Sequence, residues 1–311
     1  MYDLKEINSR AKSDPKGFCE ECEEQYNQKV ATAAQMIAGN LKNSHLVLLS
    51  GPSSSGKTTT ASKISAALNN LGIGTHYISM DDYYQDVGEN TPLTEEGEYD
   101  LESPYCLDLD LLSEHFAALA DGKSVDIPKF DFNVRKRAAE PRKSVRLGEN
   151  DVCIYEGIHA LNRALTEAVP GVFKLSISTA SDVACDGRTI LLARDFRLIR
   201  RIVRDSLSRN TAPAETLSMW ANIRRGERLY INPFANDADY SFDTSFPCEP
   251  CIVGRKAAGM LNNASKDSGW YDEGVELAAE LEQFTEIDSS FVASDSLLRE
   301  FIGGGVYDYC I

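Results

Sequence analysis

Residues 51–58 read Gly-Pro-Ser-Ser-Ser-Gly-Lys-Thr, and no other stretch limits the chain as strongly. The run fits G-x-x-x-x-G-K-[ST] in full. It follows the apolar segment His45–Ser50 and opens a segment from Lys57 to about Asn70, in which Ala61, Ile64 and Leu68 recur on one face. The spacing predicts a strand, a tight loop and a helix. Glycines let the loop backbone curl until successive N–H groups converge on phosphate oxygens, and the helix N-terminus adds positive dipole character. In that geometry Lys57 reaches the β- and γ-phosphates of ATP, and the Thr58 hydroxyl ligates Mg²⁺. Gly51, Ser53, Ser54, Ser55, Gly56, Lys57, Thr58 and Thr59 are therefore the expected ATP-binding residues.

The rest of the chain alternates in the same style. Strands are expected at 75–80, 152–157, 172–178 and 238–244. Helices are expected at 107–119, 194–207 and 213–230, with short extended pieces around Val125–Pro128 and no regular element over 81–106. This order predicts an α/β fold of P-loop NTPase type, a mainly parallel sheet flanked by helices. Residues 1–44 read as an N-terminal helical extension, 45–254 as the P-loop kinase domain, and 255–311 as a C-terminal helical extension packed on it, ending in a turn at Gly303–Gly305.

The formal net charge is −16. Such a chain repels nucleic acid and anionic membrane surfaces on average, so neither is an expected partner. A site that handles phosphate must then be a local basic pocket. No apolar run is long enough to span a membrane and the first residues carry no signal-like segment, so a cytoplasmic location is expected. The C-terminal helices could supply an interface for a homo-oligomer. Cys19/Cys22 and Cys248/Cys251 have CxxC spacing. A metal site is one reading of two such pairs, and packing of reduced thiols in the core is the other.

Two observations narrow the P-loop reading. There is no Asn-Lys-x-Asp guanine-reading motif, and the later strand ends in Glu156-Gly157 rather than in an Asp. Both point to a small-molecule kinase. After the second strand comes Ser79-Met80-Asp81-Asp82-Tyr83-Tyr84. Ligands of doubly wound sheets sit at the carboxyl ends of strands, so Asp81 or Asp82 is placed to accept a hydroxyl proton beside the γ-phosphate, or to hold a Mg²⁺-bound water. Glu156 closes a buried strand, where a charge needs a partner, either a Mg²⁺ water network or an arginine. At helical spacing Leu198, Ile199, Ile202 and Val203 share one face. Arg194, Arg197, Arg200, Arg201 and Arg204 gather on the other, either around phosphate oxygens or as a solvated face with acidic neighbours.

Taken in order, GPSSSGKTT, DDYYQD (81–86), GEYDLESPYCLDLDLL (97–112), VDIPKFDF (125–132), VCIYEGIHAL (152–161) and RLIRRIVRD (197–205) resemble the uridine kinase/phosphoribulokinase family. SLLREFIGG (296–304) and WANIRRGERLYINPF (220–234) are similar to segments of bacterial uridine-kinase-like proteins with a helical C-terminal extension. The resemblance implies Asp81 as catalytic base, Tyr84 as a wall of the acceptor pocket and Asp100 as the acid that binds ribose hydroxyls. It also implies Phe130 and Phe132 as aromatics that hold the base, Glu156 as an acid near Mg²⁺, and Arg201 and Arg204 as lid arginines. The chain departs from the family at Arg135, where uridine–cytidine kinases carry a His. It departs again at Arg209-Asn210-Thr211, where the lid commonly runs Arg-Gly-Arg, and at Met219, where they carry a Gln. The expected activity is ATP-dependent transfer of the γ-phosphate to a nucleoside hydroxyl. A sugar or polyol acceptor on the same machinery is the first alternative, and an ATP-binding regulatory protein without an acceptor is the second.

Overall fold

In the computed structural model, which describes residues 1–167, 169–263 and 271–307, the apolar run after His45 becomes the middle strand of a five-stranded sheet. The strands are β1 (Leu46–Ser50), β2 (Gly74–Ser79), β3 (Asp151–Gly157), β4 (Phe173–Ser178) and β5 (Tyr240–Asp243). Their order across the sheet is β2-β3-β1-β4-β5, with every pairing parallel. β1 is buried along its whole length, as a parallel strand covered on both faces must be. Its alternate side chains feed two cores: Val47 and Leu49 join one cluster, Leu46 and Leu48 the other.

The helices are α1 (Leu4–Ser13), α2 (Pro15–Asn40), α3 (Lys57–Asn70), α4 (Leu109–Ala120), α5 (Ala193–Ser208), α6 (Pro213–Gly226), α7 (Glu249–Asn262), α8 (Tyr271–Leu281) and α9 (Arg299–Ile302). α4 and the turn Arg163–Thr166 cover the Leu46/Leu48 face, while α2, α3, α5 and α7 cover the other. The N-terminal residues contribute directly to that core through Phe18, Tyr26, Val30, Ala33 and Ile37. A buried Phe, Val or Ile among them contributes roughly 1.5–3 kcal/mol, and Ala33 less. α2 starts where it does because the Asp14 carboxylate accepts from the Gly17 N–H at 2.9 Å and Pro15 sits in the first turn.

The elements match the sequence expectation closely, with two differences that matter. The stretch expected as one helix over 213–230 stops at Gly226 and continues as a π-helical turn, Glu227–Ile231. The wider turn carries Glu227 and Tyr230, both of which have partners in the site described below. The helix expected from about 255 begins earlier, at Glu249, where Pro250 suits a first turn. Among the described residues no helix is long and apolar enough to cross a membrane.

Register brings the working ends of three strands together. Ser50 lies beside Gly157, and Glu156 lies between Leu49 on one side and Ser79 on the other. The loop after β1, the segment after β2 and the end of β3 therefore open on one edge of the sheet.

Candidate active site

The loop between β1 and α3 has the backbone its sequence demands. Ser54 (φ 60°) and Gly56 (φ 88°) take left-handed conformations that turn successive N–H groups inward. A side chain at Gly51 would meet the Ile177 carbonyl at 2.5 Å, so only glycine fits there. Ser54 and Ser55 are buried, and their hydroxyls have no protein partner. Orphaned donors around a curled backbone at a helix N-terminus fit a phosphate group. The Lys57 ammonium leans back on the Pro52 carbonyl at 3.5 Å.

The candidate metal residues form one chain of contacts. Glu156, buried, accepts from the Tyr77 hydroxyl at 2.8 Å and from the Ser79 hydroxyl at 3.0 Å. Tyr77 also meets the Thr58 hydroxyl. Among the described residues no group of three or more His, Cys, Asp or Glu is arranged as a metal cage. A P-loop Mg²⁺ needs none, because it keeps waters and phosphate oxygens as ligands and takes one or two from protein.

The residue pattern offers Asp81 or Asp82, the resemblance implies Asp81, and the structure gives the two different partners. Asp82 is buried and paired with Arg142 at 2.6 Å, with the Phe130 N–H at 3.5 Å from the same carboxylate. Asp81 opens to solvent yet is hemmed in by protein. That crowding, followed by the Glu156 charge, pushes its pKa up to about 6, while Lys57 and Arg209 pull the other way. Asp81 is thus the carboxylate near enough to the P-loop lysine to feel its charge.

The arginine face of α5 divides into two groups. Arg197 and Arg200 are buried and committed to Glu227 and Glu249: Arg197 Nη2 lies 2.9 Å from Glu227, and Arg200 Nε and Nη2 lie 2.6 and 2.7 Å from Glu249. Their spare N–H groups hold the loop itself, at the carbonyls of Ser53 (3.1 Å) and Ser54 (3.3 Å). Arg201 reaches the Ser53 hydroxyl at 2.8 Å. Arg201, Arg204 and Arg209 gather around buried Asp205, at 3.3, 2.8 and 3.5 Å. Arg209 also feels Asp81, and burial followed by the neighbouring Arg204 lowers its pKa to about 10. Nothing in the residue pattern of 197–209 separated the loop-shaping pair from this trio.

On the acceptor side, Tyr84, Phe130 and Phe132 form a ring cluster with centroids 4.9–5.8 Å apart. Phe132 is 54% exposed, so one ring is free to meet a ligand. Arg135 is exposed and held at φ 54°. Asp100 is buried and gripped at both oxygens by Arg225 (3.1 and 3.2 Å), with the Tyr230 hydroxyl at 2.8 Å. Burial pushes its pKa up, but Arg225 and Tyr230 outweigh it and the net shift is downward. Arg225 and Tyr230 are site residues whose spacing gave no sign of them, and the buried His159 meets the Tyr230 ring edge-on, with centroids 6.3 Å apart.

A Gly-rich loop on a helix N-terminus, an acid near its lysine and an arginine cluster beside them define an ATP-dependent P-loop kinase. The model of the Phosphoribulokinase / Uridine kinase family matches residues 46–248, and the chain belongs to that family. It is similar to a uridine kinase of Halobacterium salinarum, 28% identical over 192 residues (61% of this chain, 76% of that one). It is also similar to one of Brevibacillus brevis, 29% identical over 198 residues (63% and 83%). Among solved structures it resembles a putative fructose transport system kinase from Silicibacter sp. TM1040. The TM-score is 0.50 and the identity 20%, over 68% of this chain and 98% of that one, a likeness of fold.

Proposed function

We propose that the protein transfers the γ-phosphate of ATP to a primary hydroxyl of a nucleoside, in the manner of a uridine kinase. One observation carries this reading: Asp81, two residues past the end of β2, is near enough to Lys57 to feel its charge, and Tyr84 of the Tyr84–Phe130–Phe132 cluster is near enough to feel Asp81. A hydroxyl held between them is within reach of a base and of the phosphate to be transferred.

In this mechanism residues 51–58 grip the triphosphate through backbone N–H groups and the free Ser54 and Ser55 hydroxyls, while Thr59, also expected to contact ATP, gives its N–H and hydroxyl to Glu300. Asp81 takes the proton of the attacking hydroxyl. Arg201 and Arg204, joined by Arg209, neutralise charge on the transferring group, and Asp205 holds all three in place. Closure of these side chains excludes water, which would otherwise accept the phosphate. Thr58 and Glu156 would hold Mg²⁺, which neutralises charge on the phosphate oxygens when bound. The aromatic cluster packs the base, and Asp100, fixed by Arg225, receives ribose hydroxyls on its remaining lone pair.

Arg135, standing where uridine–cytidine kinases place a His, favours a second reading in which the acceptor is a sugar or polyol. A panel of nucleosides, sugars and polyols, read by ADP release and product mass, tests both. A nucleoside monophosphate supports the first reading. A phosphorylated sugar as the sole product replaces it with the second, and background turnover throughout removes both.

A further inference from the structure

The two CxxC pairs, 226 residues apart in sequence at their nearer ends (248 − 22), meet in space. Cys19 and Cys22 lie one turn apart on the buried face of α2, and Cys248 and Cys251 cap and open α7. All four are buried and free. The Cys248 thiol lies near enough to Cys19 and Cys22 for them to alter its ionisation, Cys251 feels both of them as well, and Cys19 and Cys248 line one cavity. No three of these thiols are arranged to hold a metal ion. The thiols approach one another at the seam between the buried face of α2 and the start of α7.

Access to the seam is selective. A cavity of about 150 Å³ is lined by Cys19 and Cys248 but by neither Cys22 nor Cys251. Glu20 and Glu24 also line it, as does Glu23, whose charge is met by Lys63 at 2.7 Å. An acidic lining repels anionic oxidants such as glutathione disulfide and admits a small neutral one. The two thiols are also unequal in access: Cys19 is 6% exposed and Cys248 1%, so an oxidant in the cavity meets Cys19 first.

We propose that Cys19 and Cys248 are a peroxide-sensitive thiol pair that closes to a disulfide joining α2 to α7. The Cys19 thiolate attacks one oxygen of hydrogen peroxide, the O–O bond breaks, and hydroxide leaves as Cys19 becomes a sulfenic acid. The Cys248 sulfur then attacks Cys19 Sγ. The S–O bond breaks, and the departing oxygen takes the Cys248 proton and leaves as water. In sum, two thiols and one peroxide give one disulfide and two waters. The bond would staple two elements that grip the phosphate loop. Beside Cys248, Glu249 holds Arg200 and through it the Ser54 carbonyl, and on α2 the Tyr26 hydroxyl bonds Thr60 at 2.8 Å.

The test is mild peroxide treatment of the reduced full-length chain, followed by denaturation, alkylation and peptide mapping. The expected result is loss of two thiols per chain and a cross-linked peptide pair containing Cys19 and Cys248, reversed by dithiothreitol. The cross-link persists in Cys22→Ser and vanishes in Cys248→Ser. Retention of every thiol, a Cys248–Cys251 or Cys22–Cys248 bridge, or sulfinic acid with no cross-link overturns the proposal. So does a zinc ion, found by metal analysis, that shields these thiols. Mapping of the unmutated chain decides the matter even if a variant fails to fold.

Discussion

Glu300 accepts hydrogen bonds from both the backbone N–H and the hydroxyl of Thr59, at 3.3 and 2.6 Å. A residue of the last helix thus fixes the first turn of α3, whose N-terminus forms the phosphate cradle. Leu297, three residues earlier, lies under Gly56, where any added side-chain carbon would fall 2.3 Å from it. A carboxylate at a helix N-terminus accepts from the donors of the first turn and suits the dipole. Glu300→Ala is expected to lower stability by about 1–2 kcal/mol. Glu300→Gln, which keeps an acceptor oxygen, should lose less. Urea midpoints of the three proteins check the order.

Arg225 is the main partner of buried Asp100. Replacing it with Met leaves the carboxylate with the Tyr230 hydroxyl and the Glu102 N–H, at an expected cost of about 2 kcal/mol, discounted because Arg225 is partly exposed. If Asp100 receives the acceptor, the same change raises the acceptor KM by roughly tenfold while leaving the KM for ATP near its original value. Steady-state kinetics with each substrate varied separates the two effects.

His159 and Glu102 carry opposite pH dependences. Burial holds His159 down to about 4, against an ordinary 6.5. As pH falls through 6.5 the unfolded chain takes that proton first, so stability is lost between about 6.5 and 4. Burial pushes Glu102 up to about 7, against an ordinary 4.5, with Arg201 opposing. Here the folded chain takes the proton first, so stability is gained as pH falls from about 7 towards 4.5. The two largely offset. His159→Asn removes one side of the balance, and on moving from pH 7 to pH 5 it should gain about 2 kcal/mol relative to the unmutated chain. Denaturant titrations at both pH values measure the difference.

What the sequence made legible was local. A complete phosphate-loop motif between an apolar run and a 3.6-residue period specifies strand, loop and helix within some twenty-five residues, and β1, α3 and their junction are found there. What it hid depends on partners far along the chain. Asp81 and Asp82 are adjacent and alike until Arg142 claims one of them. Arg197 and Arg200 share a helix with Arg201 and Arg204, and only Glu227 and Glu249 mark them as supports of the loop. The paired cysteines looked like separate pieces of core packing because nothing in either segment points to the other. Glu300 sits in a region whose sequence suggested an appendage, yet it reaches the phosphate cradle.

The most direct measurement compares turnover and ATP affinity of the unmutated chain with those of Asp81→Asn, using the acceptor that the substrate panel identifies. Asp81 acting as base predicts a kcat lower by about a hundredfold or more with the ATP Kd little changed. Turnover close to that of the unmutated chain would contradict it.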